Sequence, residues 1–151
     1  CYYNLARNKA VGIDNVSWQE YEENLESKLK SLVEKLKRKS FKPLPAKRVY
    51  IPKGNGELRP LGISAIENKI VESAIRHILQ SIYESDFLEC SHGFRPNRNT
   101  HQALKAIDTI IMTKPVGYVV EADIKGFFDN VNHDMLIEFI KIRVKDRSLI
   151  F

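Results

Sequence analysis

The sequence of 151 residues predicts an α+β fold, in which helices pack with a β-hairpin and a short sheet. Apolar residues recur at three- and four-residue steps in several long stretches, which indicates amphipathic helices. The tripeptide Gly54-Asn55-Gly56 separates two β-prone segments and is typical of a hairpin turn. A β-branched run that begins at Val119 reaches Asp123, which indicates a buried strand with a carboxylate at its exposed end.

The first helix is predicted over residues 18–38. Ser17 and Glu20 have the spacing of a capping box, in which each side chain bonds the backbone N–H of the other residue. The apolar residues of this helix fall on one face: Trp18, Tyr21, Leu25, Leu29, Leu32 and Leu36. The sequence therefore predicts a single amphipathic helix at this point.

The hairpin follows this helix. Residues 47–53 form its predicted first strand, and residues 57–59 begin the return strand. Pro60 and Gly62 come next, and we expect both to limit regular pairing because proline lacks a donor and glycine weakens strands.

The second half of the chain alternates helices with other segments. A wide apolar stripe over 65–84 predicts a buried central helix, and 87–100 is typical of a loop. A helix over 100–113 is expected to carry these apolar residues inward: Ala103, Leu104, Ile107, Ile110 and Ile111. A buried strand over 118–124 and a last helix over 133–146 complete the prediction.

Composition limits the kind of protein. A hydrophobic content of 43% is enough for a core, and the formal charge of +5 is compatible with a phosphate-rich partner. No apolar run reaches the roughly 18 residues that a membrane span needs. We interpret Cys1 and Cys90 as free thiols of a cytoplasmic protein, without a zinc cluster. The start of the chain, which has no Met, indicates a piece of a longer protein.

Asp123 is the first candidate for chemistry. Phosphoryl transfer requires two or three carboxylates that hold Mg²⁺, and Asp123 and Asp129 are the local candidates. Asp129 equally suits a helix N-cap or a turn. Asp123 interrupts an apolar strand, where a purely structural carboxylate is less expected.

Two groups of cations are further candidates. Lys53 and Arg59 lie on the two arms of the hairpin, which would allow them to grip nucleotide phosphates; the alternative is ordinary solvated charge. The end of the first helix is basic: Lys37, Arg38 and Lys39. These cations either stabilise a helix C-terminus or contact a nucleic-acid backbone.

The loop of residues 91–101 is the last candidate. It combines arginines, histidines, amide and hydroxyl donors with Phe94, a composition that suits phosphates and stacked bases. The alternative is a surface loop whose Phe94 plugs the core. His92, His101 and His133 lack the spacing of a zinc site.

Several motifs occur in a fixed order, and together they are far more specific than any one of them. They are Gly12-Ile13-Asp14, Arg48-Val49-Tyr50-Ile51-Pro52-Lys53, Gly54-Asn55-Gly56, Arg59-Pro60-Leu61-Gly62-Ile63, Ser91-His92-Gly93-Phe94-Arg95-Pro96 and Ala122-Asp123-Ile124-Lys125-Gly126-Phe127-Phe128-Asp129-Asn130. From about residue 11 to the end, the chain closely resembles the group II intron-encoded reverse transcriptase, or maturase, family.

The resemblance implies a reverse transcriptase fold with fingers and a partial, truncated palm. Residues 1–115 would be fingers with part of the palm, and residues 116–151 would be the start of the palm, with the first catalytic strand and the following helix. Asp123, helped by the backbone carbonyl of Ile124, would bind the catalytic Mg²⁺, which Mn²⁺ could replace. Phe128 would lie under the incoming sugar and exclude a 2′-hydroxyl.

The resemblance also implies how substrates are held. Lys53 and Arg59 would hold the triphosphate of a dNTP. The RNA template would contact the loop and the basic helix end, through Gly93, Phe94, Arg95, Pro96, Arg98, Lys37, Arg38 and Lys39. The partners implied are an intron RNA template, a DNA or RNA primer and a dNTP, with no membrane.

The activity implied is RNA-directed DNA synthesis that copies intron RNA, together with help in intron splicing. The family's aromatic-x-Asp-Asp motif is absent from this sequence, so the fragment by itself is expected to be inactive. Ser64 and His92 also depart from the family pattern, which commonly has Pro and Tyr there. The alternatives are a CRISPR-associated or phage-defence reverse transcriptase, a non-catalytic RNA-binding module, and a palm used for another nucleotidyl transfer.

Overall fold

Helices and one two-stranded hairpin make up this computed structural model, which describes residues 1–7, 9–54 and 56–149. The chain divides into two units, Cys1–Gln80 and Ser81–Phe151. The elements are α1 (Trp18–Glu22), α2 (Leu25–Lys37), β1 (Lys47–Pro52), β2 (Leu58–Ile63), α3 (Ile66–Tyr83), α4 (Thr100–Thr113) and α5 (His133–Arg143). Short 3₁₀ turns cover Tyr2–Asn4, Glu84–Asp86 and Phe128–Asn130. The predicted α+β class is confirmed.

The predicted helix over 18–38 is two helices. Its capping box is confirmed, because the Ser17 N–H donates to the Glu20 carboxylate at 2.7 Å and the Glu20 N–H donates to the Ser17 hydroxyl at 3.2 Å. The chain then breaks at Asn24, which has a left-handed backbone with φ 58°. Asparagine tolerates this conformation better than most residues. Apolar periodicity does not detect one such residue, so the prediction of a continuous helix was wrong.

The hairpin is antiparallel, and its register runs from Lys47 opposite Ile63 to Pro52 opposite Leu58. The next pair is closed by the Lys53 N–H, which donates to the Glu57 carbonyl at 2.6 Å. Because hydrogen-bonded and non-hydrogen-bonded pairs alternate along an antiparallel ladder, every even-numbered residue of this register falls in a non-hydrogen-bonded pair.

Pro60 faces Tyr50 and Gly62 faces Arg48, both at such even positions. The missing N–H of Pro60 therefore removes no bond between the two strands, and Gly62 is paired in the same regular register. The expectation that Pro60 and Gly62 limit pairing was therefore wrong. The predicted turn includes Asn55, which lies outside the described residues.

The core of the first unit is aromatic and aliphatic. Its buried members are Tyr2, Trp18, Tyr21, Leu32, Ile66 and Ile70. The rings of Tyr2 and Trp18 stack with centroids 4.2 Å apart. Asn68 is buried and ties the segment before β1 to α3: its side-chain amide donates to the Leu44 carbonyl at 2.7 Å, and the Leu44 N–H donates back at 3.2 Å. The segment around Asn68 is therefore fixed by a pair of hydrogen bonds as well as by burial.

Helices α3 to α5 confirm the three predicted helices, with α5 ending at Arg143. In α3 only Ile66, Asn68 and Ile70 are buried, so the prediction of a buried central helix holds only for its first turns. The apolar face of α4 is exposed, with Leu104 at 58%, so its inward orientation was also wrong. None of the helices within residues 1–7, 9–54 and 56–149 combines the length and the apolar character that a membrane span requires.

The predicted buried strand over 118–124 does not form, and that prediction was wrong. The segment is irregular, and Tyr118 and Val120 are exposed at 93% and 88%. A strand requires a neighbour that satisfies its N–H and C=O groups. The only strands in the described residues, β1 and β2, pair with each other. The β-branched residues Val119 and Val120 therefore remain exposed to solvent.

Candidate nucleotide and nucleic-acid site

Asp123 lies in this exposed segment. Among the described residues its carboxylate has no hydrogen bond or ion pair, so it is available to a ligand. The chain then turns at Gly126, whose φ of 62° favours glycine, and the Asn130 amide donates to the Gly126 carbonyl at 2.7 Å. Phe127 and Phe128 meet edge to face at 5.3 Å, and Phe128 is 87% exposed. The turn thus presents an aromatic ring to solvent five residues after a free carboxylate.

Asp129 lies within the 3₁₀ turn Phe128–Asn130. The N-cap of α5 is instead Asn132, whose side chain accepts from the Met135 N–H at 3.0 Å. Of the two structural interpretations of Asp129, the turn is correct and the N-cap is wrong. No group of three or more His, Cys, Asp or Glu within the described ranges is arranged to hold a metal ion.

The two predicted phosphate-binding cations share one face of the hairpin. In the ladder Arg59 faces Ile51, and Lys53 faces Glu57 one pair further along. Residues of the same parity project to the same side, so Lys53 and Arg59 are diagonal neighbours. The Lys53 ammonium pairs with the Glu57 carboxylate at 2.8 Å, and both side chains are about half exposed (46% and 63%). An ion pair this exposed is weak and exchangeable.

The basic end of α2 is a regular helix C-terminus. Lys37 pairs with Glu34 at 3.2 Å, and the Arg38 guanidinium approaches the same carboxylate at 4.0 Å. Lys39 has a left-handed φ of 55°, and the Ser40 N–H donates to the Lys35 carbonyl at 2.9 Å. These bonds satisfy carbonyls that the helix end leaves open. The structure therefore supports the structural interpretation of these cations, and RNA contact stays a prediction.

Phe94 is fully exposed, at 106% of the reference surface, and has a left-handed φ of 57°. The alternative in which Phe94 plugs the core was therefore wrong. The backbone of this loop holds the ring outward, where it can stack on a base. Gly93 beside it is exposed, and Pro96 is half-buried.

Arg95 is the anchor of the loop. Its side chain is only 7% exposed and pairs with Glu84, with Nη2 and Nε at 2.8 and 3.0 Å from Oε1. Its Nη1 donates to the carbonyls of Leu88 and Ser91 at 2.8 and 3.0 Å. The guanidinium also lies 5.1 Å from the centre of the Phe87 ring. Most of its donors are therefore used within the protein, which leaves little of this side chain for RNA.

Sequence reasoning missed the partners of the loop arginines. The segment Glu84–Glu89 carries carboxylates that each pair with an arginine: Glu84 with Arg95, Asp86 with Arg143, and Glu89 with Arg98. The Arg143–Asp86 contact is 2.6 Å and ties the end of α5 to the turn before the loop. A cluster of acids immediately before a basic loop was the available signal.

Lys53 and Arg59 belong to the first unit, and Asp123, Phe128 and the Phe94 loop belong to the second. Their convergence on one nucleotide stays a prediction. The structure places Lys53 and Arg59 on one face of the hairpin, and Asp123 and Phe128 are exposed on either side of the Gly126 turn.

Comparison with known proteins defines the class. The family model for reverse transcriptase (RNA-dependent DNA polymerase) matches residues 51–148, which run from β1 through α5. The chain therefore belongs to the reverse transcriptase family.

Within that class the chain is homologous to group II intron-encoded proteins, as its motifs predict. It is 40% identical to the group II intron-encoded protein LtrA of Lactococcus lactis subsp. cremoris over 149 residues, which are 98% of this chain and 24% of LtrA. It is 38% identical to protein YkfC of Escherichia coli K12 over 140 residues, or 89% of this chain and 36% of YkfC. It is 29% identical to nuclear intron maturase 1 of Arabidopsis thaliana over 86 residues, or 56% of this chain and 12% of that protein. The chain thus spans between an eighth and about a third of these relatives.

Proposed function

We propose that the whole protein to which this chain belongs is an RNA-directed DNA polymerase that copies intron RNA into DNA and assists intron splicing. The observation that supports it most is that the residues matching the family expose both a free carboxylate, at Asp123, and an aromatic ring five residues later, at Phe128. In this proposal residues 1–115 are fingers with part of the palm, and residues 116–151 begin the palm.

The carboxylate of Asp123 and the backbone carbonyl of Ile124 would be ligands of a catalytic Mg²⁺. Both are hard oxygen donors and both residues are exposed, so their chemistry suits this cation. Two donors do not fill an octahedral shell, and the other ligands would come from the nucleotide, from water or from residues outside this chain. When bound, magnesium neutralises charge on the phosphates.

The hairpin would hold the triphosphate of the dNTP. Arg59 has no ion-pair partner within the described residues and is ready to bind, whereas Lys53 must first release Glu57. Because that pair is exposed, its loss costs about 1 kcal/mol or less. Phe128 would lie under the sugar, where its ring would leave no room for a 2′-hydroxyl.

The RNA template would contact the Phe94 loop. The exposed ring of Phe94 is suited to stacking on a base, and Arg95 would act mainly by holding the loop through Glu84. Gly93 and Pro96 would contact the template beside the ring, and Arg98 would contact its backbone. The cations Lys37, Arg38 and Lys39 would add weaker, salt-dependent contacts.

Primer extension by the whole protein tests the proposal. We expect Asp123→Ala to abolish extension with Mg²⁺ while RNA binding is retained, because the change removes a metal ligand and leaves the cationic surfaces intact. Asp108→Ala is the matched control, since Asp108 is also an exposed carboxylate and lies on α4. Retained extension by the Asp123→Ala variant would refute the metal role.

A second candidate is an RNA-binding module without catalysis. It is favoured by the exposed ring of Phe94 and the exposed cations at the end of α2, which suit RNA without requiring catalysis. Because these 151 residues do not include the family's aromatic-x-Asp-Asp motif, we propose that they do not polymerise by themselves. If wild-type whole protein bound intron RNA with steep salt dependence and never extended a primer, this candidate would replace the first.

A further inference from the structure

The second unit contains an open groove of about 490 Å³ between the Phe94 loop and α4. The side chains that matter for its chemistry are Glu89, His92, Arg98 and Lys105. Two of these are permanent cations and one is a carboxylate. An open groove with two cations in its wall is suited to an anionic ligand.

The Glu89 carboxylate occupies the position at which an anionic ligand would bind Arg98. Glu89 pairs with the guanidinium of Arg98, and their side chains are 88% and 25% exposed. The Arg98 side chain is therefore mostly buried, whereas the Glu89 side chain is mostly exposed and can exchange for another anion. The hydrogen bond and charge of Arg98, with smaller effects from Arg95 and His92, hold the pKa of Glu89 below its ordinary value. This position thus favours negative charge.

We propose that the groove binds a backbone phosphate of single-stranded RNA, held by Arg98 and Lys105, and that Glu89 is an internal competitor which the phosphate displaces. An arginine fork suits phosphate as well as carboxylate. The exposed Phe94 follows His92 by two residues on the same loop, and single-strand binding sites typically combine a cationic groove with a stacking aromatic. This inference rests on the proposed function, which already assigns the Phe94 loop and Arg98 to the RNA template, and it adds the role of Lys105 and the displacement of Glu89.

The proposal predicts that removing the charge of Glu89, which pairs with Arg98 of the same chain, increases the affinity for RNA. We expect Glu89→Gln to bind a short fluorescein-labelled oligouridylate about two- to fivefold more tightly, because an exposed ion pair no longer competes. We expect Lys105→Met to bind more weakly and to reduce the salt slope of binding by about 1. Fluorescence anisotropy of the chain at two salt concentrations measures both effects.

The chain offers matched controls on α5, where Glu138 pairs with Lys141 at 2.6 Å on an exposed surface. Glu138→Gln and Lys141→Met change the net charge equally but lie outside the groove, so we expect smaller effects. If Glu138→Gln tightened binding as much as Glu89→Gln, or if Glu89→Gln bound no more tightly than wild type, the site would be refuted.

Competition experiments distinguish an RNA backbone phosphate from a free phosphate or a nucleotide as the ligand of the groove. An unlabelled oligouridylate should displace the probe, whereas inorganic phosphate or a dNTP at the same phosphate concentration should not. Equal competition by a dNTP would overturn the assignment to RNA backbone. The assay uses no polymerase activity, so its failure is distinguishable from failure of the Asp123→Ala extension test.

Discussion

At Gly12 we expect the addition of a single methyl group to lower the stability of the first unit. It is buried, and a Cβ added there would lie 2.7 Å from the Cα and 2.8 Å from the N of Ala65, which is itself fully buried. Carbon atoms in contact prefer about 3.5–4.0 Å. The methyl group would therefore intrude by about 1 Å on backbone atoms, which cannot rotate away as a side chain can.

The magnitude follows from two opposing effects. Overpacking of this kind costs about 1–3 kcal/mol, whereas replacing Gly by Ala recovers about 0.4–1 kcal/mol from the unfolded chain. We therefore expect Gly12→Ala to reduce the free energy of unfolding by about 1–2 kcal/mol. For a unit of this size, Cys1–Gln80, the Tm should fall by about 4–16 °C.

The fluorescence of Trp18 provides the assay. Trp18 is the chain's single tryptophan, is 8% exposed and stacks on Tyr2, so unfolding of this unit should change its emission. Gly54→Ala is the control, because a Cβ there would have nothing within 4 Å. We expect its Tm to stay within a few degrees of wild type. A Gly12→Ala Tm equal to or above that of wild type would refute the packing argument.

Two further changes test other contacts. Burial raises the pKa of Tyr21 to about 12, so between pH 10 and 12 the folded chain keeps a proton that the unfolded chain loses, and the free energy of unfolding should fall across this window. Tyr21→Phe should remove that part of the pH dependence in urea midpoints, and unchanged dependence would contradict it. In the whole protein, Phe128→Ala should raise ribonucleotide incorporation relative to dNTP by about tenfold or more in primer extension. Unchanged sugar discrimination would count against Phe128 as the gate.

Local rules predicted most of the helices and the hairpin. The Ser17 capping box and the turn between β1 and β2 depend on residues a few positions apart, which a single sequence displays directly. A second capping box, between Asn99 and Gln102 at the start of α4, has the same short-range character. The shared face of Lys53 and Arg59 follows once the register is known.

The features that the sequence did not predict depend on residues far apart in the chain or on the conformation of a single residue. The left-handed Asn24 divides a helix without changing its apolar period. A β-branched run such as Val119–Val120 becomes a strand only beside another strand, and its own sequence does not contain that neighbour. The Arg95 side chain was predicted to contact RNA, and most of its donors are taken by Glu84, eleven residues earlier, together with the carbonyls of Leu88 and Ser91. Asp123 and its proposed roles remain predictions.

The positions of the hairpin's two prolines bear on how it can associate with other chains. In non-hydrogen-bonded pairs the backbone N–H groups point away from the partner strand, and Pro52 and Pro60 occupy such pairs, one on each strand. Each outer border of the ribbon thus lacks one donor that an added strand would require. The hairpin should therefore resist the addition of further strands, and with it self-aggregation, while its inner ladder stays intact.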